Sequence, residues 1–353
     1  MLQPARLALA LAVVAAACQV KSKPRPDEGD EPGGGRRDAG AAVVGPRTRV
    51  LPPAVPPSRM PEPRIELPRE LRFTLLDPGQ GARARLRYRA DGSTRELVAR
   101  AQVTTRSYAD GTWIDPVALA PVRDGFGVTA TATATGSGAG AVIQLRGLVA
   151  SVDGGAAPPA AAAAEAYLGR WRALLERRRA DVTIDDRGRL VTTALLDDPT
   201  GARVEARDEL VQRWLGLAVP LPEEPVAIGA RWRVVTALRA GGAVLKQTAT
   251  YQLRARDAQA WTIDVEAERI GEPQDILAPG VPGGVLGEVV ALRRVVKGTL
   301  VVGPSDPLPR RGTLASEVAS HARFHAAGRT TERYTEDQAA IELGPGAPAP
   351  PRP

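Results

Sequence analysis

From Glu70 onward apolar and polar residues alternate with a period of two, and the alternating runs are punctuated by Gly and Asp-Gly. That is the pattern of antiparallel strands joined by short turns. Trp261, Ile263, Val265 and Ala267 alternate with Thr262, Asp264, Glu266 and Glu268, so one face meets a core and the other meets water. Upstream, Leu245, Ala249, Tyr251 and Leu253 alternate with Lys246, Thr248, Thr250 and Gln252, and Ala240-Gly241-Gly242 separates them from a strand over 231–239. These three strands read as a meander. The same pattern predicts strands over 70–76, 83–90, 95–108, 126–135, 141–152, 181–185, 189–195, 287–302, 313–326 and 329–342. Turns fall at Asp91-Gly92, Asp110-Gly111, Gly136-Ser137-Gly138, Asp186-Arg187-Gly188 and Gly328.

Two segments break the period. Tyr167, Leu168, Trp171, Leu174 and Leu175 form one stripe of a helix over 160–179, bounded upstream by Pro158-Pro159. A second helix is predicted over 203–217, with Val204, Val211, Trp214 and Leu215 on its apolar side. The fold expected is mainly β (α+β): long antiparallel meander strands forming one or two curved sheets, covered by two central helices. GARAR at 81–85 and GARWR at 229–233 share an offset that also carries Trp113 onto Trp261. An internal pseudo-repeat of 70–155 and 220–343, with the helices at 160–217 between, fits those matches; so does chance, since they are short and arginine-rich.

The chain outside this region follows no such period. Residues 19–68 are dominated by Pro, Gly, Arg and acidic residues, as in DEGDEPGGGRR and LPPAVPPSRMPEP, the composition of a disordered tether. As a flexible coil its roughly 50 residues span about 40 Å. Residues 344–353, GPGAPAPPRP, read as a disordered tail. Before the tether, a short basic head and an apolar run from Leu7 to Ala17 form a signal peptide over 1–17, too short to span a bilayer, which needs roughly 20 apolar residues.

Ala15-Ala16-Ala17-Cys18 resembles the lipobox of bacterial lipoproteins, in which the signal is cleaved before the cysteine and the thiol is lipidated. Ala15 departs from the leucine usual at that place, and plain cleavage near Ala17 without lipid is the alternative. Cys18 is the single cysteine of the chain, so no intramolecular disulfide forms. In that family an aspartate after the cysteine signals inner-membrane retention; Gln19 stands here, so the resemblance implies an outer-membrane lipid anchor. The net charge of +7 and pI near 10.0 would suggest nucleic acid in a cytosolic protein. An exported chain meets anionic lipids and wall polymers instead. Nucleic acid is excluded as a partner on that ground, and the heavy bias of arginine over lysine together with the lack of asparagine reflects genome composition more simply than ligand selection.

Catalytic chemistry is sparse. His321 and His325 share one strand face with Glu317 and Arg323 in SEVASHARFHAAG, which makes them weak metal candidates; solvent-facing histidines opposite a buried Val318, Ala322 and Phe324 are the plainer reading. GSGAG at 136–140 lacks the Lys-Ser/Thr of a phosphate loop and reads as a hairpin turn. Asp185-Asp186 and Asp197-Asp198 lie in turn contexts. Arg170, Arg172 and Arg177 to Arg179 place positive charge on the outer side of the first helix, a solvated face or a contact for anionic headgroups. No cofactor is expected.

LLDPGQGARARLRY at 75–88, PLPEEPVAIGARWRV at 220–234 and the lipobox together resemble a family of bacterial envelope lipoproteins that has no assigned activity, with Pro222, Pro225, Val226, Gly229, Arg231 and Trp232 as the carrying residues. The resemblance implies an envelope location and a β-rich fold over about 70–343, and no site residues. The function expected is a non-enzymatic exported lipoprotein that binds another envelope component or has a structural role. The alternative is a lipid or lipoprotein carrier, similar in outline to half-barrel lipoprotein-localisation proteins, with an apolar cavity lined by Trp171, Trp214 and Trp261, residues that serve equally as plain core. Because one covalent role is legible, the anchor is directly testable. Cys18→Ser is expected to abolish labelling by radioactive palmitate and to move the chain from the membrane to the soluble fraction of a bacterial host. Unchanged labelling would refute the lipobox.

Overall fold

The computed structural model describes residues 71–109, 112–113, 117–118, 121–135, 138–147, 151–152, 179–196, 216–240, 243–276, 285–326 and 329–345. Their elements are β1 (Arg72–Asp77), β2 (Thr94–Ala109), β3 (Thr112–Trp113), β4 (Val117–Ala118), β5 (Val122–Thr135), β6 (Gly138–Gly147), β7 (Ser151–Val152), β8 (Arg179–Asp185), β9 (Leu190–Leu196), β10 (Arg231–Ala240), β11 (Ala243–Arg256), β12 (Trp261–Gly271), β13 (Gln274–Ile276), β14 (Val285–Gly303), β15 (Asp306–Ala326) and β16 (Arg329–Pro345). All belong to one antiparallel sheet with the order β1-β10-β11-β12-β14-β15-β16-β2-β5-β6-β8-β9; β13, β3, β4 and β7 pair off this path.

Two meanders, β10 to β16 and β2 to β9, join where β16 pairs with β2, from Tyr334 opposite Tyr108 to Pro345 opposite Leu97. β1 crosses over to pair with β10 at the far edge. β15 has 21 residues, which corresponds to about 70 Å of strand. One face is apolar along its lower half, and its buried side chains form one cluster that includes Leu97, Val128, Ile143, Val182, Trp232 and Ile263. Strands from both meanders therefore share one core, which requires the sheet to curl.

The curl is tied at one end by two crossing segments, 78–90 and 218–230. Ala84 and Val226 form an isolated bridge. The Tyr88 amide donates to the Asp186 carbonyl in the β8–β9 turn, and the Arg89 amide donates to the Pro304 carbonyl in the β14–β15 turn. The Leu221 amide closes on the Arg187 carbonyl. Two buried aromatic side chains add polar links: Tyr88 Oη donates to the Val219 carbonyl at 2.8 Å and Trp232 Nε1 to the Pro220 carbonyl at 2.8 Å. The apolar inner face is closed at this end by a plug in which the buried Tyr88 hydroxyl and Trp232 indole N–H are both hydrogen-bonded, as burial demands.

The meander 231–239, 245–253 and 261–268 and the remaining long strands lie where the alternation places them, in one sheet. Residues 83–90 differ: they run extended through the plug, with Ala84 in the bridge to Val226 as their only β pairing. Residues 141–152 divide into β6 and β7, and β7 pairs with β5. β16 continues to Pro345, past the expected start of the tail at Gly344. GARAR 81–85 lies in the plug while GARWR 229–233 runs into β10, so the two matched stretches occupy unlike places. Residues 160–178 and nearly all of the helix over 203–217 lie outside the described residues; Arg179, expected to end the first helix, instead opens β8 and pairs with Arg146, and Gly216 and Leu217 have helical backbone.

The plug makes a prediction about stability. Gly79 has φ +78°, and a Cβ there would lie 2.5 Å from the Ala227 carbonyl oxygen and 2.7 Å from the Ala230 amide, whereas Gly81 at φ +93° has open space. Gly81→Ala is expected to cost about 1 kcal/mol, the backbone term alone, and Gly79→Ala roughly 3 kcal/mol, because the plug must also move. Urea unfolding of both variants checks this, and equal losses would refute the packing role.

Candidate functional site

Above the apolar half, the parity that buries Trp261, Ile263 and Ala267 on β12 brings Arg269 to the same inner face. Successive pairings make a row across the sheet: Thr236 of β10 faces Gln247 of β11, which faces Arg269, which faces Arg294 of β14. Arg294 faces Val318 of β15, then Asp337 of β16, then Thr105 of β2. The row below it, through Val234, Ala249, Ala267 and Val296, is largely apolar.

Arg269 Nε donates to Gln247 Oε1 at 2.6 Å, and Arg294 Nε donates to Ser316 Oγ at 2.9 Å. Asp337 is 4% exposed; its Oδ1 accepts from Thr105 Oγ1 at 2.7 Å, and its Oδ2 has no hydrogen-bond partner among the described residues. Ser320 and Thr335 hydroxyls meet at 2.5 Å in the row above. Burial pulls the Arg269 guanidinium down to about 10, with only weak opposition from Tyr251, itself pushed up to about 12 by burial. Arg294 is lowered further, by burial and then by the like charge of Arg269, against the attraction of Asp337. Guanidinium stays protonated at neutral pH, so these directions measure how poorly the two charges are compensated. Burial pushes Asp337 up to about 7, despite the Thr105 hydrogen bond and the Arg294 charge.

A cavity of about 20 Å³, large enough for one water, lies beside Arg269 and is lined by Gln247, Tyr251, Val265, Leu300, Leu314 and the segment 216–218, among others. A Cβ on Gly216 would stand 3.1 Å from Arg269 Nη2, so the helical residue lies close over the guanidinium.

Trp261 is part of the plugged core, 5% exposed, with its ring 5.7 Å from that of Tyr88, and it does not line this cavity. Trp171, Trp214, Cys18, Arg170, Arg172, Asp197 and Asp198 lie outside the described residues. Asp185 serves its turn, accepting from the Arg187 and Arg189 amides and pairing with Arg189 Nε at 2.6 Å.

His321 and His325 do share the outer face with Glu317, and Val318 and Ala322 are buried opposite. His321 differs from a solvent-facing histidine, being 2% exposed. It stacks on Tyr334 at 4.0 Å and 18°, first in a row that continues to Tyr108 at 5.6 Å and Trp113 at 5.4 Å, with the Arg106 guanidinium 4.7 Å above the Trp113 ring. Its Nε2 lies 3.5 Å from Glu332 Oε2, and burial pulls its pKa below the ordinary histidine value against the Glu332 charge. His325 Nδ1 meets Thr330 Oγ1 at 3.0 Å. Among the described residues no three His, Cys, Asp or Glu side chains are grouped to hold a metal.

Arg269, Arg294, Asp337 and Thr105 are absent from the residues that sequence alone nominates. Their signal was the strand parity itself: continuing the apolar positions of 261–267 by two residues gives Arg269, and Leu292 and Val296 bracket Arg294 on the same face.

No family model and no curated protein matches the chain. Among solved structures, an outer membrane channel from Pseudomonas putida F1 is similar at 10% identity over 73% of this chain and 97% of its own, with a TM-score of 0.15. OccK2 of Pseudomonas aeruginosa in complex with glucuronate follows at 6% identity over 74% and 98%, TM-score 0.15. The toluene transporter TodX of P. putida has 12% identity over 74% and 92%, TM-score 0.14. At such scores these likenesses carry no argument about fold or function.

The raised Asp337 fixes a pH dependence. A carboxyl whose folded pKa exceeds its unfolded value stabilises the fold fully below about pH 4 and loses that contribution as pH rises through about 7. The loss is on the order of 4 kcal/mol at most. Asp337→Asn keeps an acceptor for Thr105 and removes the titration. Relative to the parent, it is therefore expected to gain stability between pH 4.5 and 7.5 in urea unfolding. Parallel curves for the two proteins would refute the shift.

Proposed function

We propose that this chain is a non-enzymatic protein of the bacterial cell envelope, anchored through acyl chains on Cys18, whose inner sheet face receives a ligand of that envelope. The observation that carries the reading is the contrast between the two faces. On the outer face charges pair across strands: Arg254 with Asp264 at 2.5 Å, Lys297 with Glu266 at 2.7 Å, Arg293 with Glu268 at 2.8 Å, Arg323 with both Glu288 and Glu332 at 3.0 Å, and Arg106 with Glu336. Inward, Arg269 and Arg294 have no carboxylate within 4.0 Å among the described residues, and Arg269 lines a cavity. The unspent binding capacity is on the inside.

The outer ion ladders also favour a sheet that stands in water. A membrane-spanning barrel needs an outward apolar band about 25 Å tall, and charged residues occupy the outer parity of β12, β14, β15 and β16 here. Lipid supplies the anchor, with Gln19 favouring the outer membrane, and the tether supplies reach. The carrier version of this function, passing a lipid or lipoprotein onward, is favoured by the apolar rows directly below the guanidiniums. Anionic envelope lipids or polymers, or another envelope protein, remain the partners expected.

Native mass spectrometry of the mature chain, extracted from an envelope fraction, tests this. A small envelope molecule retained at one per chain is expected. A chain that stays empty, including after incubation with lipid extract of the same envelope, would overturn the reading.

A further inference from the structure

We propose that Arg269 and Arg294 form an anion site that takes the carboxylate or phosphate group of a ligand. The inference rests on the inner face being the receiving face and adds the chemistry of what is received. The two side chains are direct cross-strand partners on β12 and β14, an arrangement in which like charges repel. Each guanidinium has five N–H groups, and the described residues accept one from each, through the neutral groups Gln247 Oε1 and Ser316 Oγ. The Nη groups of both are left with no acceptor among the described residues.

Asp337 does not fill the role of counter-ion. It lies beyond ion-pair distance of Arg294, spends Oδ1 on Thr105, and leaves Oδ2 unpartnered and buried. The row thus holds two cations against one carboxyl. Of the other titratable groups facing it, Tyr251 is neutral at physiological pH. Two guanidiniums on directly paired residues of neighbouring strands suit an oxyanion, which can accept two parallel N–H bonds from a guanidinium fork. Beside Arg269 the cavity walls include Tyr251, Val265, Leu300 and Leu314, which lower the local dielectric there and make the attraction stronger than it would be on the outer surface.

Such an anion is either free or the head of an amphiphile, and the two are separable by calorimetric titration of the mature chain without its acyl group at pH 7.5. The probes are inorganic phosphate, acetate, laurate, dodecyl phosphate and dodecanol, the amphiphiles below their micellar concentrations. At least one anion is expected to bind one per chain, with affinity falling tenfold or more in Arg269→Gln and in Arg294→Gln and unchanged in Lys297→Gln on the outer face. Equal affinity for short and long anions assigns a free oxyanion; tighter binding of laurate or dodecyl phosphate assigns an amphiphile head. Dodecanol binding as tightly as laurate overturns the anion site while leaving the inner face as a receptacle, and no binding by any probe overturns the site. Without ligand, both Arg→Gln variants are expected to melt at or above the parent temperature, because repulsion is relieved. A lower melting temperature would mean that the guanidiniums serve the fold, and would also overturn the proposal.

Discussion

The crossing of segments 78–90 and 218–230 is the constraint on which the rest of the sheet depends. A sheet this wide with one apolar face gains nothing by remaining open, because that face must leave water. Curling solves the problem for the walls but leaves an open end, where Trp232, Trp261 and Leu308 would be wetted. The plug closes it and, through the Tyr88, Arg89 and Leu221 amides, fixes the distance between the β8–β9 turn, the β14–β15 turn and the entry to β10. Because those bonds are backbone to backbone, they depend on chain path more than on side-chain identity, and Gly79 is the place where that path leaves no room for a Cβ.

Much of the sheet was legible because its signal is local. Period-two alternation with Gly-bearing turns located the long strands, since a one-residue slip would invert every side chain. The plug was less legible for the same reason. Residues 83–90 alternate like a strand, yet Leu86 and Tyr88 are buried by loops and by turns from both meanders, partners that no local pattern announces. The seam between β16 and β2, and the crossing of β1 to β10, are likewise matters of tertiary pairing across more than 150 residues of chain. The stretches that carried the family resemblance proved to be the two halves of the plug, held together at Ala84 and Val226.

His321 shows why the candidate chemistry was harder to read than the fold. Its parity is outward, as alternation requires, but outward is not exposed when neighbouring strands supply flat rings. Tyr334 stacks on the imidazole and is itself backed by Tyr108 and then Trp113, rings from three strands in register, while Glu332, paired with Arg323, stands beside the imidazole. Burial disfavours the imidazolium, so the ring is held neutral as an aromatic tile. The two ring nitrogens left without hydrogen bonds mark the cost of using a histidine there.

The inner row has the opposite character. Every outward arginine just described finds a carboxylate on the adjacent strand, which is what a solvated ladder does at little net energy. Arg269 and Arg294, both half-buried, sit where leucine or valine would continue the apolar rows, and replacing charges withdrawn from water by well-packed apolar residues commonly stabilises a fold. The local pattern alone would therefore have favoured apolar side chains at both positions. In the proposed site their charges, on paired residues, disfavour the empty protein, and Asp337 offsets this poorly because its own burial favours the neutral acid. A group that costs stability when the molecule is empty is offset when something of opposite charge arrives. In the proposed site, the two requirements on this sheet, a dry lower half that drives curling and a cationic row that resists burial, are reconciled by an anionic occupant.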